Sequence, residues 1–211
     1  METTLILIRR ASLGDADSQF RLGYRLAFCR NPALRDPAKA FACWRLAARQ
    51  QHVRACFFLA TCFDFGLGTR TNHPSAMRWY RAAADAGHEV AAYNLALGLR
   101  DGHGVKKDLR ASARWFAFAA TKGDAEAQSD FAFCLHEGLG VRRDRSAAVS
   151  WYRRAARAGV VRAQFNLGLC YLNADGVPKS MRRATHWFSL AAAKRHVRAR
   201  ELLVTIRQQP R

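Results

Sequence analysis

The sequence predicts an all-α fold, a solenoid of paired antiparallel helices. Two observations lead there. Trp79, Trp115, Trp151 and Trp187 stand on a strict 36-residue lattice, and self-similarity at such a period marks a stack of supersecondary units. Within each period two different helical stripes alternate, separated by turn residues.

The first stripe begins at a small residue: Ser18, Ala55, Ala91, Ala127 and Ala163. Four residues on stand Leu22, Leu59, Leu95, Phe131 and Leu167, each followed by Gly or Ala. Eight residues on stand Leu26, Phe63, Leu99, Leu135 and Tyr171. This spacing makes one buried face of a helix, here termed helix A. Gly66, Gly102 and Gly138 are placed to end it in a left-handed C-cap. The Gly-x-Gly segments at 66–68, 102–104 and 138–140 follow a helix and lack a Gly-Lys-Ser/Thr completion, so they read as turns, not phosphate cradles.

The second stripe, helix B, opens on N-cap residues Asp36, Asn72, Asp108, Asp144 and Ser180. The tryptophans follow as expected packing knobs, then alanine pairs such as Ala83-Ala84. Trp44 lies one residue off the lattice, with Cys43 in the tryptophan slot. The expected organisation is one solenoid: an N-terminal half-repeat cap at 1–17, repeats at 18–54, 55–90, 91–126, 127–162 and 163–198, and a C-terminal cap helix at 199–211. Each unit of such a stack buries its face only on its neighbours.

Composition narrows the function classes. The chain carries 35 basic and 16 acidic residues, a net charge of +19. Residues 1–105 contribute 14 basic and 8 acidic groups, residues 106–211 contribute 21 and 8. This imbalance points to an acidic partner: a protein face first, a nucleic acid or other polyanion second. The alternative source is composition alone, since 29 of the basic residues are arginines. Cys29, Cys43, Cys56, Cys62, Cys134 and Cys170 show no CxxC spacing and no regular pairing, so reduced thiols in a cytoplasmic protein are expected. The N-terminal apolar run is too short for a secretion signal, and no run suits a membrane span.

Ala163-Gln164-Phe165-Asn166-Leu167-Gly168, the Gly-x-Gly-Val loop with Asp108 or Asp144 beyond it, and Trp151-Tyr152-Arg153-Arg154-Ala155-Ala156 recur in phase. Together they resemble the Sel-one-like repeat, a relative of the tetratricopeptide repeat, over residues 18–198. The resemblance implies a right-handed superhelix with a concave groove lined by helix A. It also implies scaffold and adaptor roles, often bacterial. A cysteine-rich branch resembles β-lactamase-like hydrolases, but its regular cysteine pairs are missing here. Ala174 stands in place of the last capping glycine, Thr69 in place of a loop valine, and the first repeat lacks the glycine loop.

No nucleophile–base arrangement follows from spacing, so no catalytic residue, cofactor or metal is expected. The seven histidines read as separate polar residues, His52, His88 and His196 lying at one repeated position after helix B. Candidate groove residues are Tyr93, Asn94, Asp130, Phe165 and Asn166, where rings would take side chains and polar groups would bond an extended peptide backbone. Their alternative role is to complete the core or to face solvent. Lys106, Lys107, Arg142, Arg143, Lys179, Arg182 and Arg183 fall at loop positions that stacking would align into a basic ridge, or a merely solvated one.

Overall fold

A computed structural model of the chain describes residues 4–208. The expected caps reach beyond these limits at residues 1–3 and 209–211, which lie outside the described residues. All regular structure among the described residues is helical.

Two compact units are present, residues 1–108 and 109–211. The first holds α1 (Thr4–Ser12), α2 (Ala16–Phe28), α3 (Pro37–Arg49), α4 (Val53–Phe65), α5 (His73–Asp85) and α6 (Glu89–Asp101). The second holds α7 (Leu109–Thr121), α8 (Ala125–Glu137), α9 (Arg145–Arg157), α10 (Val161–Asn173), α11 (Met181–Ala193) and α12 (Val197–Gln208). Within each unit every helix packs on the next in sequence. Even-numbered helices carry the helix A stripe and odd-numbered ones the helix B stripe.

Side chains set the helix boundaries. Asp36, Asn72, Asp144 and Ser180 accept hydrogen bonds from the backbone N–H three residues on, satisfying otherwise orphaned donors at the starts of α3, α5, α9 and α11. Gly66, Gly102 and Gly138 close α4, α6 and α8 in the left-handed conformation. Ala174 closes α10 the same way at φ 59°, so the missing glycine leaves the turn intact at the cost of a less favoured backbone. Where the first repeat lacks the glycine loop, a short 3-10 turn at Pro32–Leu34 replaces it.

The histidines after helix B have a sharper role than sequence suggests. His52, His88 and His196 are N-caps: each Nδ1 accepts the N–H three residues on, at 3.2, 3.3 and 3.2 Å. Each ring also stacks on the aromatic of an earlier helix A, His52 on Phe20, His88 on Phe57 and His196 on Phe165.

The packing knobs also differ from expectation. The lattice tryptophans are only half-buried. The residue after each one is fully buried: Tyr80, Phe116, Tyr152 and Phe188. Trp44 occupies that same deep slot, and is buried too. Gly23 and Gly168 are small because these rings need the room; a Cβ there would strike Trp44 or Phe188. The deep ring is therefore the conformational anchor, and the tryptophan covers its edge.

Candidate interaction surfaces

The groove residues lie on even-numbered helices, and each has an internal partner. Tyr80 in α5 and Tyr152 in α9 are buried phenols. Asn94 in α6 lies beside the Tyr80 hydroxyl and Asn166 in α10 beside that of Tyr152, each close enough to favour the ionised phenol against burial. Burial pushes the Tyr80 phenol up to about 12 and raises Tyr152 as well, so both remain protonated. Where the deep ring is Trp44, the asparagine position holds Phe58, stacked on it at 4.9 Å. Asp130 is buried and pairs with Arg162 at 3.1 Å. Phe165 is held in its stack on His196, and Tyr93 is half-buried.

In the second unit Asn166 also lines a cleft of about 220 Å³ with Phe133, His136, Glu137, Tyr152 and Asp175. This cleft brings one predicted residue together with an acidic rim. In the first unit an apolar pocket of about 200 Å³ opens between Phe28, Trp44, Phe58 and Leu67.

The basic residues are all exposed: Lys106 and Lys107 in the first unit, and Arg142, Arg143, Lys179, Arg182 and Arg183 in the second. Arg182 and Arg183 stand in the first turn of α11 and not in the loop expected for them, because the Ser180 cap starts the helix ahead of them. Two have internal contacts. Arg143 donates to the Glu137 carbonyl at 3.3 Å, and the Arg183 guanidinium lies over the Tyr171 ring. The neighbouring Arg145 is held by its ion pair with Asp175 at 2.9 Å.

A third arrangement escaped sequence reading. Three repeat positions converge: the tenth residue of the helix A stripe, the first residue of helix B, and the middle residue of the next Gly-x-Gly loop. In the first unit they are Asp64, His73 and His103. Asp64 Oδ1 lies 3.1 Å from His73 Nδ1 and 3.7 Å from His103 Nε2. The two imidazole rings meet at 3.8 Å between centroids. In the second unit the same positions hold His136, Arg145 and Asp175, with His136 Nε2 2.6 Å from Asp175. The histidines at 73 and 103 therefore do converge, contrary to the reading of all seven as separate. Gly104 makes this possible: any Cβ there would collide with the His73 backbone, so only glycine lets the loop seat on the start of α5. The signal was available by overlaying those three positions across repeats.

The helix pairs, their shared caps and the deep-ring slots define an α/α repeat protein of the tetratricopeptide type. The Sel1 repeat profile matches residues 16–52, 53–88, 90–124, 125–160 and 161–196, and the chain belongs to the Sel1 repeat family. A Sel1 repeat protein from Oxalobacter formigenes is similar at 27% identity and TM-score 0.80, over 95% of this chain and 77% of that one. The protective antigen c5321 of uropathogenic Escherichia coli, which displays an SLR fold, is 25% identical with TM-score 0.63. That match covers 98% of this chain, which spans about half, 52%, of the antigen. A putative Sel1 repeat protein of Klebsiella pneumoniae shares the fold at 18% identity and TM-score 0.52, over 96% of this chain and 98% of that one. Among curated protein sequences nothing matches. No described helix is long and apolar enough to cross a membrane.

Proposed function

We propose that the chain is a non-enzymatic protein–protein interaction scaffold or adaptor, acting in the cytoplasm on an acidic partner. The observation that carries this reading is the exposure of Arg142, Arg143 and Lys179 in the loops before α9 and α11, and of Arg182 and Arg183 in the first turn of α11, all in the second unit. Carboxylates of a partner would meet them, and steering by such a field raises the encounter rate. In the second unit the Asn166 cleft and the half-buried Phe165 would add contacts to an extended peptide, with Asp130 behind them as support for Arg162; in the first unit the half-buried Tyr93 and Asn94 would offer contacts of the same kind. All six thiols are free, which suits a reducing compartment.

The test is a salt-titrated pull-down with and without nuclease, comparing wild type with an Arg142→Glu/Arg143→Glu/Arg182→Glu/Arg183→Glu variant. The expected result is a stoichiometric acidic protein retained after nuclease treatment and lost in the variant. Capture that disappears with nuclease, with affinity falling steeply in salt, would replace this reading with nucleic-acid binding.

A further inference from the structure

We propose that Asp64, His73 and His103 form a binding site for one divalent transition-metal ion of the Zn²⁺ class. Two imidazoles and one carboxylate present donor atoms that all lie within 4.8 Å of one another. Tetrahedral coordination at about 2.0–2.1 Å puts neighbouring donors about 3.3 Å apart. The separations from Asp64 Oδ1, 3.1 Å to His73 and 3.7 Å to His103, bracket that value. A donor set of two nitrogens and one oxygen suits Zn²⁺, Ni²⁺, Cu²⁺ or Co²⁺ better than Mg²⁺ or Ca²⁺, which take oxygen shells.

The supports of these donors strengthen the assignment. Tyr80, fully buried, donates to Asp64 Oδ2 at 3.3 Å and leaves Oδ1 to face both imidazoles. Thr61 Oγ1 lies 3.5 Å from the same phenol, so the outer contact is itself held. Such outer hydrogen bonds orient ligating groups at metal sites. The His103 backbone N–H bonds the Gly98 carbonyl at 3.0 Å, fixing the loop, and Gly104 seats it against His73. An anion is a poor alternative occupant, because the Asp64 carboxylate would repel it. The side chain of Asp64 is 18% exposed, that of His73 38% and that of His103 53%. The site therefore opens to solvent on the His103 side, where water would complete the coordination.

The experiment is isothermal titration of the untagged, chelator-treated full chain with Zn²⁺, Ni²⁺ and Mg²⁺, alongside Co²⁺ absorption spectra. The expected result is one Zn²⁺ or Ni²⁺ per chain, a Co²⁺ spectrum without thiolate charge transfer, and no competition from Mg²⁺. His73→Ala and His103→Ala should each weaken binding by about ten-fold or more, while His136→Ala leaves it unchanged. Tyr80→Phe should weaken it by a smaller factor, reporting on carboxylate orientation. Circular dichroism in chelator verifies that each variant is folded; should Ala fail to fold, Gln at the same position replaces it. Binding that is absent in the wild type, or survives the His73/His103 double variant, or tracks His136 or the cysteines, overturns the proposal.

Discussion

The same three backbone positions carry opposite chemistry in the two units. In residues 1–108 they hold Asp64, His73 and His103, two neutral-capable donors around one carboxylate. In residues 109–211 they hold His136, Arg145 and Asp175, where a permanent cation sits where the first unit has His73. Arg145 Nε at 2.9 Å from Asp175 Oδ1 neutralises that carboxylate internally. A guanidinium cannot lose its proton to become a ligand. Three substitutions on a common frame thus separate a coordination geometry from a closed ion-pair network. The deep phenols differ in the same way: the Tyr80 hydroxyl donates to Asp64 and has Asn94 beside it, whereas Tyr152 has Asn166 beside it.

The largest break comes from removing those phenols. Tyr80→Ala and Tyr152→Ala should each cost about 3–5 kcal/mol, read as a fall in the urea midpoint, because each ring fills a fully buried slot. Next in size is exchange of the trio. His136→Asp/Arg145→His/Asp175→His should endow the second unit with Zn²⁺-dependent stabilisation of about 2.7 kcal/mol at a hundred-fold excess over Kd. Thermal melts with and without Zn²⁺ in a His73→Ala/His103→Ala background measure it; no Zn²⁺ effect would show that backbone position alone does not build the site.

The smallest effect concerns pH. Burial lowers the His88 pKa; Arg54 lowers it further and Glu89 opposes both. The folded state thus binds this proton less readily than the unfolded chain. Its contribution is present above the ordinary histidine value of about 6.5 and is lost as pH falls toward the lower folded value. Protonation also removes the Nδ1 acceptor that caps α6, a contact worth about 1 kcal/mol. His88→Asn should keep a cap and show a shallower loss of urea midpoint between about pH 7 and pH 5. An unchanged pH slope would assign the effect elsewhere.

Much of this was legible from spacing. The cap residues Asp36, Asn72, Asp144 and Ser180, the left-handed glycines and the alternation of two stripes follow from local chemistry, so the sequence determined them by itself. The tryptophan lattice revealed the period but not the core. Trp151 and Tyr152 are adjacent and equally aromatic, and one residue of helix rotation decides which faces inward. Trp44, already in the neighbouring slot, carried that information.

The roles of Asn94 and Asn166 were not legible, because their phenol partners lie 14 residues upstream on another helix. Nor was the convergence of His73 with His103, separated by 30 residues. Local propensity sets where a helix starts and stops. Only packing sets which loop lands on which helix start, and here that contact depends on the missing side chain of Gly104. The sequence alone therefore determined the repeat, its helices and its caps. The tertiary structure alone decided which rings are buried and which side chains share a site, because those depend on distances between segments remote in the chain.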